Sequence, residues 1–301
     1  MKAGKTDPGG LLLLHKNPGL TSFESLGIVK KNLGTGKVGH TGTLDKFAGG
    51  LLLVLAGKAL KLTSLFSYCK KVYEGVILFG TETDTLDPEG KITTNGKFPS
   101  RDEVEAALNL FRGDIMQAPP AFSAIHIDGK RAYELSRQGK PPEMQKRPVT
   151  IYSLELISWD PPYAGIQVVC SAGTYIRSLA RDIAQAAGSC AHLSALRRTA
   201  IGNFLLEDAI DGEKADREDL IKAVRPITVQ IFRTLELPAV YANEEQTASL
   251  VCGQPLDGSL LKNLVSGLQE APAAGIFVEN DKLIAVLEQK NGHWAYGHVF
   301  Q

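Results

Sequence analysis

Cysteine is scarce in this chain of 301 residues, and no two cysteines lie close together. The four cysteines, at positions 69, 170, 190 and 252, form no Cys-x-x-Cys pair, and the six histidines show no metal-ligand spacing. This distribution argues against a zinc site and against a disulfide framework. We therefore expect a reduced, cytoplasmic protein that binds no metal.

Long apolar runs are also missing. No segment approaches the roughly 18 consecutive apolar residues that a membrane-spanning helix needs. The N-terminus lacks the apolar core of a signal peptide, because Leu11–Leu14 is only four residues long. With 44% hydrophobic and 22% charged residues, the composition is that of an ordinary globular protein, long enough for two domains. We expect no contact with a membrane.

The chain has no net charge, but its charges are unevenly distributed. Residues 236–301 hold three basic and eight acidic residues, which leaves 30 basic and 25 acidic residues in 1–235. A modestly basic main part is compatible with a polyanionic partner, although it does not identify one. After Pro226 the pattern changes to short strands separated by Gly, Pro and Asn, so we predict a domain boundary near Leu235.

The stretch Lys37–Asp45 combines two glycines, two threonines and a histidine with an aspartate, and the apolar run Leu51–Ala56 follows it. Glycines let another chain approach the backbone closely, so a carboxylate beside such a loop is a plausible reactive group. The alternative is an aspartate that only caps a turn. Taken alone, the local pattern favours the structural role, because Gly/Asp clusters usually mark turns.

The elements around this stretch follow from periodicity and capping residues. Gly10–His15 is predicted to be a short buried strand, and Ser22 is predicted to cap a helix that runs to about Leu33. Lys70–Gly80 alternates as a strand, with Tyr73 on one face. Thr174 is predicted to cap a helix that ends near Ala187.

Residues 117–147 are the least core-like part of the main region. They contain four prolines, a basic helix candidate at Lys130–Gln138, and six basic against three acidic residues. An excursion of this length is more often functional or mobile than structural. The residues leave two interpretations open: an arm that closes on a ligand, or a solvated surface insertion.

Seven segments, taken together and in this order, resemble one protein family. They are Lys16–Ser22, Gly39–Asp45, Lys71–Tyr73, Thr83–Asp87, Gln117–Ala124, Gly173–Arg177 and Leu196–Arg198. The chain resembles the bacterial tRNA pseudouridine synthases of the TruB type, which modify uridine 55 in the T arm. The similarity covers about Gly10–Phe204, with a weaker match in the tail.

The resemblance implies an α+β fold: a mixed, mainly antiparallel central sheet flanked by helices, with a small C-terminal β-barrel-like module. Residues 1–235 would form the catalytic domain, with an RNA-gripping insertion at about 117–147. Residues 236–301 would form the RNA-binding module called PUA.

The resemblance also implies roles for individual residues. Asp45 matches the essential aspartate, Tyr73 the tyrosine that stacks on the target base, and Arg177 the arginine that pairs with the carboxylate. We expect Arg177 to hold Asp45 ionised, since a nearby opposite charge favours the charged form. Tyr175 and Leu196 match further positions of the substrate pocket, and His40 matches a position near the site of base extrusion. Three basic residues belong to the segment that matches the RNA-gripping arm: Lys130, Arg131 and Arg137.

The implied activity is isomerisation of uridine by C1′–N1 cleavage, rotation of the base and C1′–C5 joining. It needs no cofactor, and the implied partner is tRNA, bound by a monomer without a protein partner. Two alternatives remain: an RNA-folding chaperone that uses the same surface without chemistry, and a guide-RNA-dependent relative.

The sequence departs from the family pattern in three places. His15 stands where the family commonly has Asp, and Lys46-Phe47-Ala48-Gly49 replaces the more usual Pro-Leu-Ala-Thr. The acidic tail also weakens the case for strong phosphate binding by the C-terminal module.

Overall fold

The computed structural model describes residues 9–127, 129–256, 259–266, 268 and 271–300. Residues 1–8, which the prediction about a signal peptide concerns, and residue 128 of the predicted arm lie outside the described residues. No helix in the described part of the chain is long and apolar enough to cross a membrane.

The structure contains the following strands: β1 (Gly10–Lys16), β2 (Val38–His40), β3 (Gly49–Ala56), β4 (Lys71–Phe79), β5 (Thr81–Thr83), β6 (Ile92–Asn95), β7 (Gly113–Gln117), β8 (His126–Ile127), β9 (Lys130–Arg131), β10 (Arg147–Asp160), β11 (Tyr163–Cys170), β12 (Ala191–Ile201), β13 (Phe204–Leu205), β14 (Ile210–Asp211), β15 (Ala239–Tyr241), β16 (Ala273–Phe277), β17 (Leu283–Lys290) and β18 (His293–Val299). The α-helices are α1 (Ser22–Leu33), α2 (Thr63–Ser67), α3 (Arg101–Asn109), α4 (Ala132–Arg137), α5 (Ile176–Ala186), α6 (Arg217–Ala223), α7 (Val229–Thr234), α8 (Glu244–Val251) and α9 (Ser259–Val265). Two 3₁₀ helices lie at Gly57–Leu62 and Leu206–Asp208.

The main sheet has ten strands. Its path is β14-β1-β3-β12-β4-β11-β10-β7, with β2 paired to β3 and β13 paired to β12. The pairs β1–β14 and β3–β12 are parallel and the others are antiparallel. Helices α3 and α5 pack on a core formed by β4, β10, β11 and β12. This architecture confirms the predicted α+β fold with a mixed, mainly antiparallel sheet.

Strand β3, which follows the glycine-rich stretch, is buried along its whole length. Leu51, Leu53 and Leu55 pack into one apolar cluster, while Leu52 and Val54 pack into another with helices α1 and α6. Both faces of the strand are therefore covered, and this explains why its sequence is a continuous apolar run rather than an alternating one.

The helix caps near the site differ from the prediction. Thr21 rather than Ser22 caps α1, because its hydroxyl accepts the N–H of Glu24, while the Ser22 hydroxyl bonds another segment. Helix α5 begins after Tyr175, and the Thr174 hydroxyl donates to the carbonyl of Ser171 instead of capping the helix. The N-cap of each helix therefore lies one residue from the predicted position: a tertiary contact occupies the Ser22 hydroxyl, and a tight turn occupies the Thr174 hydroxyl.

The C-terminal part was predicted to consist of short strands, and this was only partly right. Strands β15–β18 do form a four-stranded sheet, but α7, α8 and α9 were missed. Asn243 is the N-cap of α8. Helices of six to eight residues show too little periodicity to stand out from a loop. The sheet is consistent with a PUA-like module, and the boundary at 235 stays a prediction.

Candidate active site

A cleft of about 710 Å³ opens where the loop between β2 and β3 faces β4, the start of α5 and the residues 122–124 and 131–137. Eight of the nine predicted site residues line this cleft: His40, Asp45, Tyr73, Arg131, Arg137, Tyr175, Arg177 and Leu196. Lys130 lies on the exposed hairpin β8–β9 and does not line it. The fold thus gathers residues that are up to 156 positions apart in the sequence.

Asp45 and Arg177 form an ion pair in the cleft. Arg177 Nη2 donates to Asp45 Oδ1 at 3.1 Å, and Arg177 Nε lies 2.9 Å from Asp45 Oδ2. The arginine side chain is 5% exposed, whereas the aspartate side chain is 37% exposed. The geometry leaves the carboxylate open to a ligand while it buries the cation that faces it.

Arg177 is held by more than Asp45. Its Nη1 lies 3.1 Å from Asp87 Oδ2 and donates to the Thr85 carbonyl at 2.7 Å, and its Nη2 also donates to the Phe122 carbonyl at 3.1 Å. The Asp87 carboxylate is buried and accepts the Thr85 hydroxyl at 2.6 Å. A buried cation with two carboxylates and two carbonyls around it has little freedom to reorient.

Opposing effects act on the Asp45 carboxyl. Burial raises the pKa of Asp45 above its ordinary value of 3.8, Arg177 lowers this pKa, and the charge of Asp87 raises it further. The expected effect of Arg177, to favour the ionised form of Asp45, is present, but desolvation outweighs the ion pair. The result is a carboxylate that is more basic than an ordinary aspartate.

Tyr73 lies on β4 with its ring 9% exposed, opposite Arg198 of β12. Arg198 is 1% exposed; its guanidinium carbon lies 5.9 Å from the centre of the Tyr73 ring, and Nη1 is 3.4 Å from the phenolic oxygen. Burial raises the pKa of Tyr73, so the phenol stays neutral. The ring is a fixed, uncharged wall of the cleft.

Arg198 also ties the glycine-rich loop to the sheet. Its Nε donates to the Leu51 carbonyl at 2.8 Å and its Nη2 donates to the Gly42 carbonyl at 3.0 Å. Gly50 has φ 109°, and a Cβ there would overlap with the Arg198 backbone. Glycine is required at this position because the two strands approach so closely.

The loop that carries Asp45 is fixed from two further sides. The Ser22 hydroxyl accepts the N–H of Leu44 at 2.9 Å and donates to the carbonyl of the same residue at 3.0 Å. The buried Lys16 ammonium donates to the Ala48 carbonyl at 2.6 Å. Burial lowers the pKa of Lys16 to about 8, while the charge of Asp45 opposes this shift. The segment Lys16–Ser22 therefore positions the residues on both sides of the carboxylate.

Tyr175 and Leu196 complete the wall. Gln117 accepts the Tyr175 N–H at 2.8 Å and donates to its carbonyl at 3.1 Å, which anchors the start of α5 to the end of β7. Leu196 is 9% exposed and lies opposite Gly75 of β4. A Cβ at Gly75 would make an ordinary contact with Leu196 Cδ1 at 3.6 Å but would lie only 3.1 Å from Leu193 Cδ1, so the glycine leaves space for the Leu193 side chain beside this wall.

His40 ends β2 at the rim of the cleft. Burial lowers the pKa of His40, and the Arg198 charge lowers it further, so the ring is neutral near pH 7. Its Nδ1 is buried and has no hydrogen-bond partner within the described part of the chain. A buried polar atom without a partner is uncommon and suits a group that meets a ligand.

Comparisons with known proteins place this site in a family. A model described as "TruB family pseudouridylate synthase (N terminal domain)" matches residues 30–176. The tRNA pseudouridine synthase B of Borreliella burgdorferi is 46% identical over 215 residues, covering 70% of this chain and 76% of the relative. That of Clostridium kluyveri is 34% identical over 279 residues, covering 92% and 94%. The chain belongs to the TruB family of pseudouridylate synthases.

Solved structures agree with this assignment. A chain in the crystal structure of a Cbf5–Nop10–Gar1 complex matches with a TM-score of 0.69 at 26% identity, covering 98% of this TruB-family chain and 84% of that chain. A chain from an H/ACA RNP bound to a substrate RNA containing 2′-deoxyuridine matches with a TM-score of 0.69 at 24% identity, covering 98% and 86%. The second match shows the fold alone.

The departures from the TruB pattern are accommodated locally. Phe47 packs against the core beneath the cleft, and Lys46 Nζ lies 3.9 Å from Glu89 Oε1 at the surface. The Lys46 carbonyl accepts the N–H of Gly19 at 2.8 Å, so the turn after Asp45 stays attached to the β1–α1 turn. His15, half-buried on β1, lies opposite Leu51 in the register.

Sequence reasoning left four residues of the site without a role: Lys16, Asp87, Gln117 and Arg198. All four lie within the seven family segments. Their position within those segments was the signal in the sequence that could have identified them as site residues. Their partners lie on other elements, so the pattern alone did not show what they contact.

Proposed function

We propose that this TruB-family enzyme converts uridine 55 in the T loop of tRNA to pseudouridine, with Asp45 as the essential carboxylate. The single observation that carries this proposal is the partly exposed Asp45, paired with a buried Arg177 beside the Tyr73 ring in one cleft. A folding chaperone would not need a carboxylate poised in this way.

The reaction breaks the bond between uracil N1 and ribose C1′ and forms a bond between C5 and C1′. The proton at C5 is released, and N1 ends with a proton, so the product is an isomer of the substrate. A carboxylate serves such chemistry as a nucleophile toward carbon or as a base toward a sugar proton. Both routes require Asp45 in its ionised form.

The surrounding residues have separate tasks in this proposal. Tyr73 stacks on the uracil, a contact that contributes about 1–3 kcal/mol per base. Arg177 holds the carboxylate in place, and Tyr175 and Leu196 shape the pocket. His40 lies where the base leaves the stack, a step that costs a few kcal/mol. Arg131 and Arg137 supply compensating contacts to the RNA backbone.

We propose two domains, 1–235 for catalysis and 236–301 as a PUA-like RNA-binding module, with 117–147 as the RNA-gripping arm. We propose that the protein acts as a monomer without a protein partner. The proposed compartment is the cytoplasm, where tRNA is modified. Relatives named tRNA pseudouridine synthase B reach 49% identity, which favours this function over guide-RNA dependence.

The test uses unmodified tRNA that carries uridine tritiated at C5. Wild-type protein should release tritium, and the label loss should map to the T loop. Asp45→Asn should lower the rate by a factor of about 10³ or more, since positioned acid–base groups alone contribute about 10²–10⁴.

Asp160→Asn is the matched control, because Asp160 is an exposed carboxylate at the end of β10 that does not line the cleft. It should release tritium at the wild-type rate. Equal release by Asp45→Asn and wild type would refute the role of Asp45. A wild-type protein that binds and refolds tRNA without releasing tritium would instead be a chaperone.

A further inference from the structure

The ring of Phe23 is an aromatic surface that the proposed chemistry does not use. Phe23 is 73% exposed, yet it lines the same cleft as Asp45 and His40. Single exposed apolar side chains are normal on protein surfaces, so exposure alone indicates nothing. What distinguishes this ring is that it is exposed toward the cleft that holds the proposed catalytic carboxylate.

The position of Phe23 is set by the same contacts that hold the catalytic loop. Its neighbour Ser22 bonds both the N–H and the carbonyl of Leu44, the residue before Asp45. On the other side, the Thr21 and Glu24 side chains and backbone N–H groups bond each other in a capping box. Phe23 therefore sits on a rigid helix start that is attached directly to the loop of the carboxylate.

A cation accompanies the ring. Lys30, two turns further along α1, places its ammonium 5.3 Å from the centre of the Phe23 ring. Within the described part of the chain, no other aromatic or cationic group contacts this ring. An exposed ring beside a lysine is the pairing that single-stranded RNA sites use, with the ring under a base and the cation near the phosphate.

We propose that Phe23 is a stacking platform for the nucleobase of a nucleotide next to the target uridine. Tyr73 lies deep in the cleft and Phe23 lies at its rim, so the two rings contact different bases. This inference rests on the proposed function, because it assumes an RNA loop in the cleft. It adds a second base-binding position to the site.

The experiment measures dissociation constants for a T-arm stem–loop RNA by fluorescence anisotropy, with all proteins in the Asp45→Asn background so that the RNA is not converted. Phe23→Ala should weaken binding about tenfold, within the range expected for loss of one base–aromatic stack. Phe23→Trp should restore tight binding. Phe98→Ala is the matched control, since Phe98 is 62% exposed and does not line the cleft.

A second set of RNAs locates the base. Loop nucleotides around the target are replaced one at a time by an abasic residue. At one position beside the target, the tenfold difference in affinity between the protein that retains Phe23 and the Phe23→Ala variant should disappear, because the base that would stack is gone. A penalty that persists with every abasic RNA, or no penalty for Phe23→Ala at all, would overturn the proposal.

Failure of this inference is distinguishable from failure of the proposed function. In the otherwise unchanged protein, Phe23→Ala should raise KM about tenfold in the tritium-release assay, as expected for one stacked base, and change kcat less than about threefold. A wild-type protein that binds the RNA but releases no tritium would refute the proposed function, while the anisotropy measurements would still decide the role of Phe23.

Discussion

At the scale of single residues, the site is organised by a buried arginine. Arg177 is 5% exposed and contacts the carboxylates of both Asp45 and Asp87. Losing one partner of a buried ion pair leaves an uncompensated charge, which is why such groups come with several partners. Asp87 has no opening to the cleft and serves to keep Arg177 oriented toward Asp45.

We predict that Asp87→Asn lowers the pKa of Asp45, because the charge of Asp87 raises that pKa in the native protein. Activity needs the ionised carboxylate, so it is lost as the pH falls through the pKa of Asp45. The acid limb of kcat/KM should therefore lie above pH 3.8 in the wild type and move to lower pH in Asp87→Asn. The plateau should fall about tenfold because Arg177 is held less firmly.

The measurement is the pH profile of tritium release. Asp84→Asn is the control, because Asp84 is an exposed carboxylate in the same turn and contacts the Lys91 N–H rather than Arg177. Its profile should match the wild type. A shift of the acid limb to higher pH in Asp87→Asn would contradict the electrostatic role given to Asp87.

At the scale of elements, α1 and the loop of Asp45 behave as one unit. The Ser22 hydroxyl bonds both the N–H and the carbonyl of Leu44, and both residues are buried. The start of a surface helix thereby fixes the backbone directly before the proposed catalytic carboxylate.

Ser22→Ala should lower the free energy of unfolding by about 1–3 kcal/mol, since it leaves a buried N–H and a buried carbonyl unpaired. It should also lower kcat, because the carboxylate is no longer held in one place. Urea denaturation and tritium release measure the two effects. Ser153→Ala, whose hydroxyl donates to the exposed Glu155 side chain, should change stability by less than about 0.5 kcal/mol.

The arm carries a second prediction at this scale. Arg131 and Arg137 are exposed and line the cleft, and the Arg137 guanidinium lies 5.4 Å from the Tyr133 ring. Replacing both arginines by Gln should weaken tRNA binding. It should also reduce the slope of log K against log salt by about 1.4–1.8, because each phosphate that the protein neutralises contributes about 0.7 in a single strand and about 0.9 in a duplex.

Arg101→Gln is the control for the arm, because Arg101 is an exposed arginine on α3 that pairs with Glu105 away from the cleft. Binding constants measured over a range of salt concentrations decide between the two interpretations of this segment. An unchanged slope in the double variant would make 117–147 a solvated surface insertion.

At the scale of the whole molecule, one apolar cluster joins the main sheet to the C-terminal sheet. Leu11 and Leu53 from β1 and β3 belong to the same cluster as Phe232 of α7 and Phe277 of β16. The two phenylalanine rings meet edge to face, with their centres 5.3 Å apart. A shared core of this kind couples the stability of the two parts.

Phe232→Ala should lower the free energy of unfolding by about 3–5 kcal/mol, the usual cost of removing a buried ring. Both parts should still unfold in one transition, because the cluster holds them together. Thermal denaturation followed by tryptophan fluorescence and by circular dichroism tests this. Two separate transitions in the wild type would show that the shared cluster does not couple the parts, and Phe98→Ala serves as the exposed control.

Periodicity and motif content were enough to predict much of this protein. The helix at Ser22–Leu33 and the strand around Tyr73 could be predicted because alternation and 3.6-residue spacing record which side of an element is buried. The short helices α7–α9 were missed because they contain too few residues to show a clear helical periodicity, while the Gly and Asn residues around them favour turns.

The sequence by itself determined the family, the elements that carry the site and the identity of the proposed catalytic aspartate. The family resemblance also implied Arg177, 132 positions away in the chain, as the partner of that aspartate. Only the tertiary structure showed that Asp87, 90 positions from Arg177, binds the same guanidinium. The hydrophobic periodicity of a segment indicates which of its residues are buried. Contacts between residues so far apart in the sequence depend instead on the order and register of the strands. For the same reason, the desolvation that raises the pKa of Asp45 arises only when the elements of the cleft pack around it, and it cannot be inferred from any one segment of the sequence.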